Sequence, residues 1–158
     1  MPHDLPESSK KVESALLEQG FHCPIVQFSS TTKTSKDAAA AIGCTLEQIG
    51  KSIVFKTRHT NKPVLVLASG PNRVNEKTLE LYVGEPVDKA DANFVKESTG
   101  YAIGGVPPLG HAHPVDIFID EDLLKCEEVW TAAGTSNSVF KICRNDLLKI
   151  PAKVINIK

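Results

Sequence analysis

Ile49-Gly-Lys-Ser-Ile-Val-Phe-Lys-Thr-Arg-His-Thr-Asn-Lys-Pro-Val-Leu-Val-Leu-Ala68 is the stretch on which the fold turns. Lys51 to Lys56 is a β-branched, apolar run, Thr57 to Lys62 is polar, and Pro63 to Ala68 is nearly continuous apolar sequence. A short unbroken apolar run reads as a strand covered on both faces, and the polar turn pairs it in a hairpin with 52–56. This hairpin anchors the expected sheet.

Upstream of it, residues 8–19 place Val12, Ala15, Leu16 and Leu17 near helical spacing, with Gly20 where a C-cap belongs. Pro24 to Phe28 reads as a short strand. The polar run Ser29 to Lys33 leads to Ser35 as N-cap of a helix from Lys36 to Ile42, and Thr45-Leu-Glu-Gln48 has the spacing of a capping box. Downstream, Asn75 caps a helix from Glu76 to Val83 that Gly84 closes, and Asp91 caps a second that runs to Ser98. Val115, Ile117 and Ile119 alternate with Asp116, Phe118 and Asp120 in a period-two strand. Val129 to Ala133 and Val139 to Ile142 are further strands; Asn145 caps a last helix stopped by Pro151, and Val154 to Ile157 is terminal. Strands and helices mix without regular βαβ alternation. The expected class is α+β, with a mixed, partly closed sheet or barrel and peripheral helices.

The 158 residues, 41% hydrophobic and 23% charged, suit one domain over residues 8–158, with 1–7 as a flexible N-terminus. No run approaches the roughly 18 apolar residues of a membrane helix, and the first residues carry no leader pattern. A cytoplasmic protein without membrane contact is expected. Four widely spaced cysteines without a C-x-x-C pair read as buried free thiols. With 18 basic and 19 acidic residues the net charge is -1, which excludes the global basic field of a non-specific DNA binder. The densest basic set, Lys51, Lys56, Arg58, His59 and Lys62, lies around the hairpin and reads as a solvated face.

The longest non-repetitive punctuation is Gly100-Tyr-Ala-Ile-Gly-Gly-Val-Pro-Pro-Leu-Gly-His-Ala-His-Pro114. Glycines there permit close approach to the backbone and prolines restrict it, so the segment reads as a shaped loop that presents peptide groups to a ligand. Lys51 follows Gly50 at the mouth of a core strand, a place from which its ammonium can face a phosphate, an ester carbonyl or an oxyanion. His111 and His113 form H-x-H near Asp116, a metal-like spacing without a fourth ligand. Gly134-Thr-Ser-Asn-Ser138 is either a polar hairpin turn or a set of ligand donors, and Trp130 and Tyr101 are either stacking platforms or core. Nucleophile elbow, Walker A and dinucleotide-binding patterns are absent.

Thr34 with Ala38-Ala39, Ile49 to Phe55, Thr99 to His111, Ile119-Asp120 and Ala132 to Gly134 together resemble the YbaK-like family, which comprises the editing domain of bacterial prolyl-tRNA synthetase and its free-standing relatives. The resemblance spans about residues 10–158. It implies a mixed β-barrel with peripheral helices and a free-standing hydrolase that deacylates mischarged aminoacyl-tRNA, with no cofactor or metal. The implied partners are the 3′ acceptor end of tRNA and a prolyl-tRNA synthetase, and monomer and homodimer both stay open. Lys51 stands where the family has its essential lysine, and Gly104-x-x-x-Pro108 matches its substrate-holding loop. Gly104, Gly105, Val106, Pro107, Pro108, Gly110, His111, Gly134 and Thr135 are accordingly the expected substrate-binding set. Relatives that clear cysteine carry a Ser and an Asp near Ala132 and Val139, so the resemblance implies alanine or another small amino acid here. An aminoacyl ester is already activated, so a positioned water and donors for the developing oxyanion suffice. The alternatives are a non-catalytic tRNA or DNA binder and a protein that binds a small acyl compound.

Overall fold

The computed structural model describes residues 5–28 and 34–158. The run Ser29 to Lys33 lies outside the described residues, as do the first four. Leu5 is already buried, and Glu7 opens the first helix.

The elements in chain order are α1 (Glu7–Glu18), β1 (Ile25–Gln27), α2 (Ser35–Ile42), a 3-10 turn (Leu46–Gln48), β2 (Ile49–Thr57), β3 (Pro63–Ser69), α3 (Glu76–Val83), β4 (Val87–Lys89), α4 (Ala92–Thr99), β5 (Asp116–Asp120), a second 3-10 turn (Glu121–Lys125), β6 (Glu128–Ala132), β7 (Ser138–Cys143), α5 (Arg144–Leu147) and β8 (Lys153–Ile155). Capping explains most helix ends. Asn75 Oδ1 accepts from Lys77 N and Thr78 N, and Asp91 Oδ1 accepts from Phe94 N. Two caps sit earlier than expected, by one residue at α2 and by two at α5, whose N-cap is Cys143. Thr34 Oγ1, in place of Ser35, accepts from Asp37 N at 3.1 Å, and α5 begins at Arg144, ahead of Asn145.

The sheet is mixed and eight-stranded, in the order β1-β7-β6-β2-β3-β5-β8, with β4 added to β2. The expected hairpin holds, with Gly50 opposite Ser69 and Lys56 opposite Pro63 in antiparallel register. β6 runs parallel to β2, but pairs with it only at Ile49↔Trp130 and Gly50↔Thr131. β4 pairs with the far end of β2, at Phe55↔Lys89 to Thr57↔Val87. Its three residues carry no periodic signal, and pairing alone makes them a strand.

One core lies inside the curl of the sheet, where Val54, Leu65, Leu67, Ile119, Val129, Phe140 and Ile142 meet Val12 and Leu16 of α1 and Val95 of α4. A second lies on the outer face, where Phe55, Val64, Val66, Ala68 and Phe118 pack on Leu79 of α3. β3 is therefore covered on both sides, as its unbroken apolar run requires. The second core also takes in Phe118 of β5, so that strand too is covered on both faces. Asp120 is wholly buried and accepts from Ser69 N (3.0 Å), Asn72 Nδ2 (2.8 Å) and Asp122 N (2.9 Å), pinning the ends of β3 and β5 together. The cysteines also differ from expectation, because Cys143 is exposed and Cys23, Cys44 and Cys126 are only partly covered. Asp120→Ala strips the partner from two backbone amides, and urea denaturation should show a loss of about 2–4 kcal/mol.

Candidate functional site

Along one edge β2 is paired throughout with β3, but along the other it meets β6 at 49–50 and β4 at 55–57. Between those contacts β6 veers away, and a hollow of about 200 Å³ opens beside Gly50, Lys51 and Ser52. Thr34, Ser35 and Ala38 at the start of α2 form one wall, and Trp130, Thr131, Ala132 and Val139 of β6 and β7 form the opposite one. Gly104 and Val106 reach in from the long loop, and Ser136 and Ser138 complete the floor.

Lys51 and the glycine-proline loop thus share a cavity. Among its described lining residues Lys51 is the one side chain that titrates near or above neutrality. It is half-buried and has no ion-pair partner among the described residues. Burial, reinforced by the neighbouring charges of Arg73 and Lys89, pushes its ammonium below the ordinary lysine range, while Asp120 pulls the other way. A partly desolvated cation without a counter-ion is suited to an incoming anion or to an oxygen that becomes negative.

The loop is shaped by its own packing. Tyr101, Val106 and Leu109 are buried in the inner core, which removes Tyr101 from consideration as a stacking platform. The Tyr101 hydroxyl donates to Gly110 O at 3.0 Å, and Gly105 N donates to Ala102 O at 3.0 Å. Pro107 and Pro108 lack an N–H, and the loop residues that line the hollow are Gly104 and Val106. Gly105 serves differently. A Cβ on it would sit 2.8 Å from the backbone of Gly134, and one on Gly134, where φ is +100°, would sit 2.6 Å from Ser8 C. Loop, turn and α1 are stacked backbone on backbone, and the Gly134 amide donates to Gly105 O at 2.9 Å.

The expected site residues therefore divide. Lys51, Gly104 and Val106 line the hollow, and Gly105, Gly134 and Thr135 stand behind it. Thr135 Oγ1 contacts Ser138 Oγ at 2.7 Å, and Ser9 Oγ donates to Ala133 O at 2.7 Å and lies 3.2 Å from Ser138 Oγ. These buried hydroxyls hold the 133–138 turn, so it is a wall before it is a set of free donors. Pro107 and Pro108 are buried. Gly110 and His111 turn away from Lys51 and border a depression beside Glu7 and Lys11 of α1. His111 Nε2 donates to Pro107 O at 2.7 Å, and among the described residues no group of three His, Cys, Asp or Glu side chains is placed to hold a metal. Of the basic set around the hairpin, Arg58 is paired with Asp88 at 2.9 Å and Lys56 lies over Phe94.

Ser136 and Ser138 belong to the 134–138 stretch already considered as donors, whereas Ser52 and Thr131 are lining hydroxyls that the sequence reading did not single out. Thr131 had a signal: it shares the inward face of β6 with Val129 and Ala133, where a hydroxyl is out of keeping. Among the described residues, the buried side-chain oxygens without a hydrogen-bond partner are Ser52 Oγ and Thr131 Oγ1, both in this wall.

The sequence profile of the aminoacyl-tRNA editing domain matches residues 29–150. The chain belongs to that family. The chain is also similar to individual proteins over very different shares of their length. Protein YwhH of Bacillus subtilis (strain 168) is 29% identical over 140 residues, covering 89% of this chain and 88% of its own. Proline-tRNA ligase of Brachyspira hyodysenteriae is 29% identical over 118 residues, which take in 74% of this chain and only 19% of the ligase. A solved protein described as a candidate trans-editing enzyme for prolyl-tRNA synthetase superposes with a TM-score of 0.92 at 40% identity, over 98% of this chain and 99% of that one. The editing-domain fold explains the mixed sheet, and among the described residues no helix is long and apolar enough to cross a membrane.

Burial also pushes the His111 ring below its ordinary value of 6.5, against the pull of its bond to Pro107 O. Between the folded and unfolded values the unfolded chain binds more protons, so stability rises with pH through that window. Denaturation midpoints should fall as pH drops below about 6.5, and His111→Gln should flatten that slope.

Proposed function

We propose that this editing domain hydrolyses the ester joining a small, wrongly attached amino acid to the 3′ end of tRNA, acting as a free-standing partner of prolyl-tRNA synthetase in the cytoplasm. The observation that carries the reading is the meeting of Lys51, which has no ion-pair partner among the described residues, with Gly104 and Val106 at one hollow. Water attacks the ester carbonyl carbon, the carbonyl oxygen takes up charge, and the ribose oxygen leaves with a proton. The loop amides and the Lys51 ammonium supply donors where that charge develops or where the terminal phosphate sits. No described lining side chain is a carboxylate or an imidazole, so proton transfer falls to water and to the neighbouring ribose hydroxyl of the substrate.

Size supports a small acyl group. A hollow of about 200 Å³ must hold the acyl chain and part of the ribose, and Ala132 and Val139 narrow it with apolar side chains. A methylene is worth only about 1–3 kcal/mol in such a pocket, so selection is by exclusion of larger groups.

Single-turnover deacylation of a panel of mischarged tRNAs is the test. Lys51→Met should slow hydrolysis of the preferred substrate by about 100-fold or more without loss of stability, because it removes an uncompensated cation. Binding of charged and uncharged tRNA with equal affinity and no deacylation would instead identify a binding module. Val139→Ala should shift preference by about tenfold or more toward an amino acid one or two methylenes longer.

A further inference from the structure

Strand geometry gives the hollow two unlike sides. On β2, side chains alternate, so Gly50 and Ser52 share the face opposite Lys51. A Cβ on Gly50 would meet Leu67 and Val129 of the inner core, which identifies that face as the inward one. Thr131 stands beside Gly50 in the parallel register and is 2% exposed, on the same inward face as Val129. Lys51 is thus on one side of the hollow, and the hydroxyls of Ser52 and Thr131 are on the other.

Those two hydroxyls are the buried side-chain oxygens that lack a partner among the described residues. Every other hydroxyl of the surrounding wall for which a bond is described has one: Ser138 contacts Ser9 and Thr135, and Thr34 caps α2. A buried hydroxyl left without a partner disfavours the free protein and favours whatever completes it. Lys51 brings an ammonium, which repels a cationic substrate group, whereas the unpartnered hydroxyl oxygens of Ser52 and Thr131 can accept from one.

We infer that Thr131, with Ser52, is a specificity-determining pair that accepts hydrogen bonds from the α-amino group of the bound aminoacyl ester while its carbonyl faces Lys51. This deepens the proposed deacylase reading and rests on it. The ester is held by two ends of opposite chemistry: its donor end meets hydroxyl oxygens, and its acceptor end meets an ammonium and loop amides. Recognition of the amino group makes the site selective for an aminoacyl ester over a plain acyl ester of the same size. Thr131 acts through substrate binding and positioning, since no proton transfer is assigned to it.

The test is Thr131→Val, which exchanges the hydroxyl for a methyl group at nearly constant shape, with Ser52→Ala as the second variant. Alanyl-tRNA and propionyl-tRNA serve as paired substrates, because they differ only in the α-amino group. Loss of a hydrogen bond to a charged group should lower the alanyl-tRNA rate by about 10- to 100-fold relative to propionyl-tRNA, so that the ratio of the two rates collapses in the variant. The thermal midpoint of the free variant should be unchanged or raised, because the hydroxyl it removes has no partner. An equal loss on both substrates would overturn the inference and place the hydroxyls on the ester itself. A lowered midpoint with an unchanged rate ratio would overturn it in favour of a structural role. Should wild type hydrolyse neither substrate, the deacylase reading fails, and thermal stabilisation by alaninamide against propionamide still decides the amino-group site: wild type should favour alaninamide and Thr131→Val should not. No preference in wild type would remove the site as well.

Discussion

The interrupted edge of β2 is the constraint from which the rest follows. A strand in the middle of a sheet ordinarily gives both edges to its neighbours, and any gap leaves peptide groups that need other partners. Here β6 is held for two residue pairs and then departs, while β4 arrives only at Phe55. The opening between them is walled by a stiff loop, a helix start and a turn. Because β3 supports the other edge without a break and is buried on both faces, the gap does not weaken the strand that carries Lys51. A rigid rail with one short unpaired interval is a precise place to hold a ligand.

Electrostatics and packing act on that interval from opposite directions. The outer face brings Arg73, Lys89 and Asp120 within influence of Lys51, and the inner face offers only apolar groups and hydroxyls. Desolvation weakens the lysine's hold on its proton, yet the same desolvation strengthens its pull on any negative charge that enters. Asp120 moderates both effects from a distance while its oxygens are engaged in joining β3 to β5. A residue that the sequence places on a strand edge is in this way a structural pin and part of the field around the site.

Much of the fold was legible because its signals are local. The hairpin showed itself through an apolar run long enough to need cover on both sides, and the helices through caps and closing glycines. Alternation in 115–120 was visible too, but period two names two faces without saying that both are buried, as Phe118 and Ile119 are. In the site, Lys51 and Gly104 were legible from a motif spacing. Gly110 and His111 follow in the same motif yet face α1, because the side chains of Val106 and Leu109 plug into the core and the chain reverses around them. Nearness in sequence does not fix which way a loop residue faces. Ser52 and Thr131 gave only the faint sign of a hydroxyl at an inward position, and their meaning depends on two strands diverging, which no local pattern reports.

Helix α1 meets the turn behind the site through its backbone at Ser8 and its hydroxyl at Ser9, and the bond from Ser9 to Ala133 spans 124 residues of sequence. Closing so long a loop is slow and late in folding. Until that moment the back of the hollow has no wall. A nascent or truncated chain can hold the hairpin and the lysine, but not a cavity with a definite volume. A cavity of fixed size is thereby a property of the fully closed fold.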